Sequence, residues 1–177
     1  MEAVFVRHTS VDVPKGTCYG QSDVDVAATF PEEAAIVKAR LQAMRPFDAA
    51  YASPLQRAVK LAAFCGYEKP VLDNRLKEMS MGEWEMWRYE DITDPYIEKW
   101  YADYLHLPTP GGEGFPQLYH RVASFLDELR QREENRVVIF AHGGVLACAG
   151  IYAGLYTAEQ AFAHQVPYGG ILPLSFQ

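Results

Sequence analysis

At 177 residues, 49% of them hydrophobic, the chain has the size of one ordinary domain and enough apolar mass to bury a full core. Its formal net charge of −7 argues against a general nucleic-acid or anionic-membrane surface, because bulk repulsion opposes such contacts, yet it leaves room for a small pocket of positive potential. Cys18, Cys65 and Cys148 are odd in number, widely spaced and without a CxxC pair, so neither a disulfide framework nor a zinc site is suggested. A reducing cytoplasm is the simplest home for such a chain, and the short apolar run behind Glu2 carries no secretory signal.

The first element is a strand. Ala3 to Val6 is apolar on consecutive positions, as in strands covered on both faces, and it stops at Arg7-His8. A buried strand that hands over to two basic side chains is either leaving the core or pointing at something negative. Thr17 to Ser22 is polar and turn-like. Pro31 to Met44 then opens with a Pro-Glu-Glu first turn and carries Val37, Leu41 and Met44 on one helical face. A second strand, Ala49 to Ala52, runs into Ser53-Pro54, which reads as an N-cap followed by the first helical position. That puts Arg57 in the first turn or just past it, where the helix dipole disfavours a cation and an anionic ligand would relieve the conflict. The competing reading is a solvated arginine on an exposed face.

Gly66 and Pro70 close that helix, and a weaker strand follows near Val71-Leu72. The middle of the chain is rich in aromatics, Trp84, Trp87 and Trp100 with Tyr89, Tyr96, Tyr101 and Tyr104, which suits a packed cap or a wall against a flat, apolar substrate. LPTPGGEGF, from Leu107 to Phe115, is a loop too short to separate two domains. Leu118, Val122, Phe125 and Leu129 mark a cleaner amphipathic helix. The third strong strand, Val137 to Ala141, is broken by His142-Gly143-Gly144 and followed by a small-residue helix, and a last strand lies within Ile171 to Phe176. The uncharged stretch from Val137 to Tyr156 has the length of a membrane span, but strand, tight turn and packed helix account for it better. The pattern is α/β: one domain over residues 1–177, three layers, with a mostly parallel central sheet flanked by helices and residues 77–116 as a cap-like insertion.

Each strong strand is followed at once by unusual residues: Arg7-His8, Ser53-Pro54-Leu55-Gln56-Arg57, and His142-Gly143-Gly144. In open α/β sheets ligands bind beyond the carboxyl ends of the strands, so the three segments are expected to be neighbours. The group that best satisfies two arginines and two histidines together is a phosphate dianion, since guanidinium forks match its oxygens and imidazole can donate a hydrogen bond or attack phosphorus.

Arg7-His8-Thr9, Ser53-Pro54-Leu55-Gln56-Arg57-Ala58, Glu78-Met79-Ser80-Met81-Gly82-Glu83-Trp84-Glu85 and Ala141-His142-Gly143-Gly144 resemble, in order and along essentially the whole chain, the signatures of the histidine phosphatase (phosphoglycerate mutase-like) superfamily. The resemblance implies a phosphomonoesterase without metal or other cofactor, acting on a small phosphorylated metabolite with no nucleic-acid or membrane partner. It implies His8 as nucleophile, Arg7, Arg57 and His142 as phosphate clamp with Gly143 beside them, and Glu78 as general acid. The family's usual RHG reads RHT here, and Asp12-Val13-Pro14-Lys15-Gly16 stands where many members carry an asparagine. The stretch from Asp12 through Asp23, with Gly111-Gly112-Glu113-Gly114, is most similar to the α-ribazole phosphatase branch. This implies Tyr19, Gly20 and Glu113 on the substrate side, although Tyr19 reads equally well as packing.

Other readings compete. Asp23-Val24-Asp25-Val26 resembles the DxDx(T/V) start of Mg²⁺-dependent aspartyl-phosphate hydrolases, but that motif should end a buried strand. Cysteine-based phosphatase chemistry fails because no cysteine has an arginine six positions later. A broad-specificity phosphatase, a phosphoglycerate mutase-type phosphotransferase and a catalytically silent phosphate-binding module stay open. A protein-phosphohistidine phosphatase fits less well, since those relatives usually lack the Glu78 element. His106, His120 and His164 lack metal-ligand spacing and are expected in surface or hydrogen-bonded roles. Nothing in the sequence specifies an oligomeric state.

Overall fold

The computed structural model describes all residues, 1–177. In chain order the elements are β1 (Glu2–Arg7), α1 (Phe30–Met44), β2 (Ala49–Ala52), α2 (Gln56–Phe64), β3 (Val71–Leu72), α3 (Tyr96–Ala102), α4 (Phe115–Leu129), β4 (Arg136–Ala141), α5 (Gly143–Tyr152), α6 (Ala158–Ala161) and β5 (Ile171–Ser175). Short 3-10 turns lie at Asn74–Leu76, Gly82–Trp84, Tyr89–Asp91 and Phe162–His164. The sheet order is β3-β2-β4-β1-β5, with every neighbouring pair parallel except β1 and β5.

Because successive strand residues point to opposite faces, the unbroken apolar runs of β1 and β4 serve two cores at once. Ala3, Phe5, Val137, Ile139 and Ala141 pack with α4 and α5, through residues such as Leu118, Leu126, Val145 and Leu146. Val4, Val6, Val138 and Phe140 pack with α1 and α2, through Val37, Leu41, Ala58 and Leu61. The result is three layers. The helix after β1 therefore lies on one face and the helix after the adjacent β4 on the other, which opens a crevice at the carboxyl ends of these two strands. A third, smaller cluster of Cys18, Met81, Trp84 and Ile97 lies in the aromatic middle segment, together with Trp100, Tyr89 and Tyr96.

One local expectation is corrected. The α2 helix starts at Gln56 with Leu55 as its cap, not at Pro54 behind a Ser53 cap. Ser53 prolongs the β2 ladder, its N–H donating to the Phe140 carbonyl at 2.9 Å, and its hydroxyl meets His142 and the Leu55 N–H, one residue short of the helix. The cap is supplied from a distant loop, where Asp23 Oδ1 accepts the Gln56 N–H at 2.7 Å. An anion at that helix N-terminus is favourable, and Arg57 sits deep in the first turn, as expected. The uncharged stretch after Val137 is β4 and α5, and no helix is long and apolar enough to cross a membrane.

The fully buried Ile139 at the sheet centre gives a direct test of the two-sided core. Ile139→Ala is expected to cost about 2–5 kcal/mol through lost transfer energy and the cavity left behind, read from urea unfolding. A loss below about 1 kcal/mol would contradict the packing described here.

Candidate active site

The sheet registers assemble the site. Arg7 pairs with Ala141 and Ala52 with Phe140, so His8 and His142 leave adjacent parallel strands at the same level and Ser53 leaves the third one residue short of it. Strand spacing is about 4.8 Å, and the His8 and His142 ring centroids are 5.2 Å apart. Both rings are buried.

Their hydrogen bonds fix how each ring is presented. His8 Nδ1 lies 2.7 Å from the Thr9 carbonyl oxygen. A carbonyl only accepts, so Nδ1 carries the proton and Nε2 keeps its lone pair. His142 Nε2 lies 2.8 Å from Ser53 Oγ, while His142 Nδ1 is buried without a protein partner. Burial, then the Arg57 charge, with a smaller effect from Arg7, brings the His8 pKa down to about 3 against the opposing effect of the Thr9 bond. Burial and Arg57 likewise push His142 well below the ordinary imidazole value. Both rings are neutral near pH 7.

Neither arginine of the site forms an ion pair. Arg57 is fully buried and donates to the Ser22 carbonyl at 2.9 Å and the Gly20 carbonyl at 2.5 Å. Arg7 donates to the Val166 carbonyl at 2.6 Å. The Nε of each arginine is buried and unpartnered. With His142 Nδ1 this makes three buried nitrogens without a protein partner, on the three residues around the His8 ring. Unpartnered buried polar groups are rare because each costs about 1–3 kcal/mol, and the two guanidinium donors among them suit an anion with several oxygens. Gly143 completes the floor, since a Cβ there would stand 3.1 Å from the Arg7 guanidinium carbon.

Glu78 is half-buried and hydrogen-bonded through both carboxylate oxygens. Its Oε2 accepts the Gly144 N–H at 3.0 Å and its Oε1 the Met79 N–H at 2.9 Å, at the start of α5. It also lines a cavity of about 200 Å³ whose other walls are mostly apolar, among them Tyr19, Met79, Trp100, Phe115 and Phe162. Glu78 is the only charged side chain on that wall.

Several residues do not sit where they were expected. Glu113 does not line the cavity, because its carboxylate is engaged by Arg121 Nε and Nη2, both at 2.9 Å, and by the Ser80 N–H at 2.8 Å. Gly20 contributes its carbonyl to Arg57, and a Cβ there would collide with the Met79 carbonyl, so it brings two loops together rather than forming a wall. Trp87 is exposed on a separate depression, whereas Trp100 is in the cavity. Asp23 caps α2 and Asp25 pairs with exposed Lys60 at 2.5 Å, so neither ends a buried strand as the aspartyl-phosphate motif requires. His106 is exposed and pairs with Asp103, and His164 stacks on Tyr156.

Three further positions support the site, none of them given a role by the sequence. Glu85 accepts from the Gly20 and Gln21 N–H groups, the Met81 N–H and Ser22 Oγ, which fixes the loop whose carbonyls hold Arg57. Burial alone would raise its pKa, but these donors outweigh it and the net shift is downward. Arg121 donates to the carbonyls of Arg75, Lys77 and Glu78 while gripping Glu113, so it fixes the backbone that carries Glu78. Tyr168 lies over Arg7, 4.3 Å from ring centroid to guanidinium carbon. Glu85 belongs to a GEWE run that could have been read as a buried acceptor; Arg121 and Tyr168 had no local signal.

The neutral histidines predict an acid-sensitive fold. An unfolded histidine binds its proton near pH 6.5, whereas folded His8 does so only near pH 3, so its stabilising contribution is present above pH 6.5 and lost as pH falls toward 3. Urea unfolding of His8→Asn should show a shallower loss of stability between pH 6 and pH 4 than the parent, by up to about 1.4 kcal/mol per pH unit. Parallel slopes would show that His8 is not buried in its neutral form.

Comparison with known proteins agrees with this geometry. A sequence model of the histidine phosphatase superfamily (branch 1) matches residues 3–177. A Hydrogenobacter thermophilus protein named "Putative phosphoserine phosphatase 2" is 31% identical over 153 residues, 80% of this chain and 73% of its own. The adenosylcobalamin/alpha-ribazole phosphatase of Salmonella typhimurium is also 31% identical, over 58% of this chain and 54% of its own. The crystal structure of the alpha-ribazole phosphatase from Shigella flexneri shares the fold, with a TM-score of 0.90 at 24% identity over 100% of this chain and 91% of that one. A crevice built from two neutral imidazoles and two unneutralised guanidinium groups, on a chain matched from its third residue to its last, places this protein in the histidine phosphatase superfamily, branch 1.

Proposed function

We propose that the protein is a metal-independent phosphomonoesterase that works through a phosphorylated His8, with α-ribazole 5′-phosphate as its favoured substrate. The observation that carries the proposal is the bare Nε2 of His8, oriented by the Thr9 carbonyl in a crevice where three buried nitrogens of Arg7, Arg57 and His142 have no protein partner. Phosphate monoester hydrolysis is among the slowest uncatalysed reactions, so positioning and charge stabilisation must act together. In the first step the His8 Nε2 lone pair forms the N–P bond as the ester P–O bond breaks, and Glu78 gives its proton to the departing oxygen. In the second, water attacks phosphorus, Glu78 takes a proton from it, and the N–P bond breaks to release phosphate and restore neutral His8. Arg7, Arg57 and His142 hold the equatorial oxygens throughout, with Gly143 allowing the close approach.

The cavity beside Glu78 receives the leaving group, and residues 77–116 serve as its cap. Its aromatic and thioether walls suit the flat, apolar base of an α-ribazole ester. They suit phosphoserine less, because its carboxylate and ammonium would both be desolvated against mostly apolar walls that offer no cation. Tyr19 is the one expected substrate-side residue that lies there.

His8→Ala is expected to abolish turnover and the ³²P-labelled phosphoenzyme trapped by acid quench, and a chelator is expected to leave the parent rate unchanged. Loss of activity on chelation would overturn the phosphohistidine route. Glu78→Gln should lower kcat/KM, which reports the first step, by about 10²–10⁴ for alkyl esters and far less for a nitrophenyl ester, whose leaving group needs no proton. Equal losses on the two substrates would remove Glu78 from the acid's role. In a substrate panel with α-ribazole phosphate, phosphoserine, phosphoglycerates and sugar phosphates, Trp100→Ala should erode preference for the aromatic ester while Trp87→Ala should not; a parent that favours phosphoserine would refute the assigned substrate.

A further inference from the structure

The two clamp arginines are held in the same unusual way. Each lacks a carboxylate partner, donates to main-chain carbonyls, and has a tyrosine ring beside its guanidinium: Tyr168 at 4.3 Å from Arg7 and Tyr19 at 5.2 Å from Arg57. The tyrosines come from opposite sides of the crevice. Tyr19 lies on the loop that Glu85 fixes. Tyr168 lies between the Val166 carbonyl that accepts from Arg7 and the Gly169 N–H that donates to the His8 carbonyl at 3.0 Å. Their hydroxyls meet at 2.9 Å, and the Tyr168 ring stands 5.6 Å from the His8 ring. A hydrogen-bonded bridge therefore spans the mouth above the imidazole.

The bridge has two distinct ends. Tyr19 is a wall of the cavity; Tyr168 is not, and stands beside Arg7, His8 and the Tyr19 hydroxyl. We infer that Tyr168 is a specificity-determining positioning residue: its ring holds Arg7 in place, and its hydroxyl fixes the Tyr19 wall against which the leaving group lies. The inference rests on the cavity receiving the leaving group, as proposed above. It goes further in dividing one side chain into two functions, one for the phosphoryl oxygens and one for the rest of the ester. A cation held by an aromatic face keeps its whole charge for an anionic ligand, which a carboxylate partner would have consumed.

Calorimetric titrations with inorganic phosphate, methylphosphonate and phenylphosphonate separate the two functions without any turnover. The parent should prefer phenylphosphonate to methylphosphonate. Tyr168→Phe keeps the ring and loses the bridge, so phosphate affinity should stay within about two-fold while the phenyl preference falls about five-fold, the size of one hydrogen bond. Tyr168→Ala should lose that preference and also weaken phosphate binding about 3–10-fold, as the contact with Arg7 goes. Tyr19→Phe should match Tyr168→Phe, and the double Phe variant should lose nothing more. An unchanged phenyl preference in Tyr168→Phe, no preference in the parent, or additive losses in the double variant would each overturn the proposal. Tyr168 is 41% exposed, so a folded variant is expected and circular dichroism verifies it. An inert parent enzyme would sink the phosphatase reading instead, since these titrations involve no hydrolysis.

Discussion

Two guanidinium groups are held beside two imidazoles with no carboxylate ion-paired to either arginine, and most of the architecture around the site follows from that constraint. Desolvation and mutual repulsion oppose such a cluster. The imidazoles respond by staying neutral, and the guanidinium groups are solvated by main-chain carbonyls and aromatic faces instead of by counter-ions. Carbonyl dipoles stabilise a cation without cancelling it. The field that remains is what a phosphate dianion would meet.

Carboxylates are present nearby, but each is used at one remove. Glu85 binds four donors of the loops around Arg57, and Glu113 pairs with Arg121, which in turn holds the main chain at Glu78. Glu33 accepts from the Ser10 N–H and hydroxyl and from Thr29, which fixes the chain leaving β1. Acidic residues thus stiffen the loops that present carbonyls and donors, in keeping with the general need for support behind a precise site. Only Glu78 reaches the cavity wall, where a single carboxylate can serve proton transfer.

The same division explains the glycines at the loop crossings. Gly20 passes against the Met79 carbonyl, and Gly82, with a φ of +56°, passes against the Pro110 and Gly112 main chain. Any side chain at these points would separate the Arg57 loop from the Glu78 segment, or that segment from the loop carrying Glu113. The aromatic cluster around Trp84 and Trp100 then packs over these crossings and closes the apolar side of the site.

Much of the fold and the chemical centre were legible in the sequence because they depend on local and periodic signals. Unbroken apolar runs at Ala3–Val6 and Val137–Ala141 mean strands covered on two faces, and the basic residues just beyond them fall at the ligand-binding ends of a parallel sheet. Arg7, His8, Arg57, Glu78 and His142 could be named for that reason and for their ordered motifs. What the sequence by itself determined was therefore the layer architecture and which basic residues gather at the carboxyl ends of the strands. Tertiary structure alone decided which side chains those groups lean on: that Ser53 pairs with His142 rather than capping a helix, that Glu113 turns to Arg121, and that Tyr168 meets Tyr19 across 149 residues. Such partnerships arise between segments distant in the chain, where closure depends on the packed sheet and no local periodicity records it.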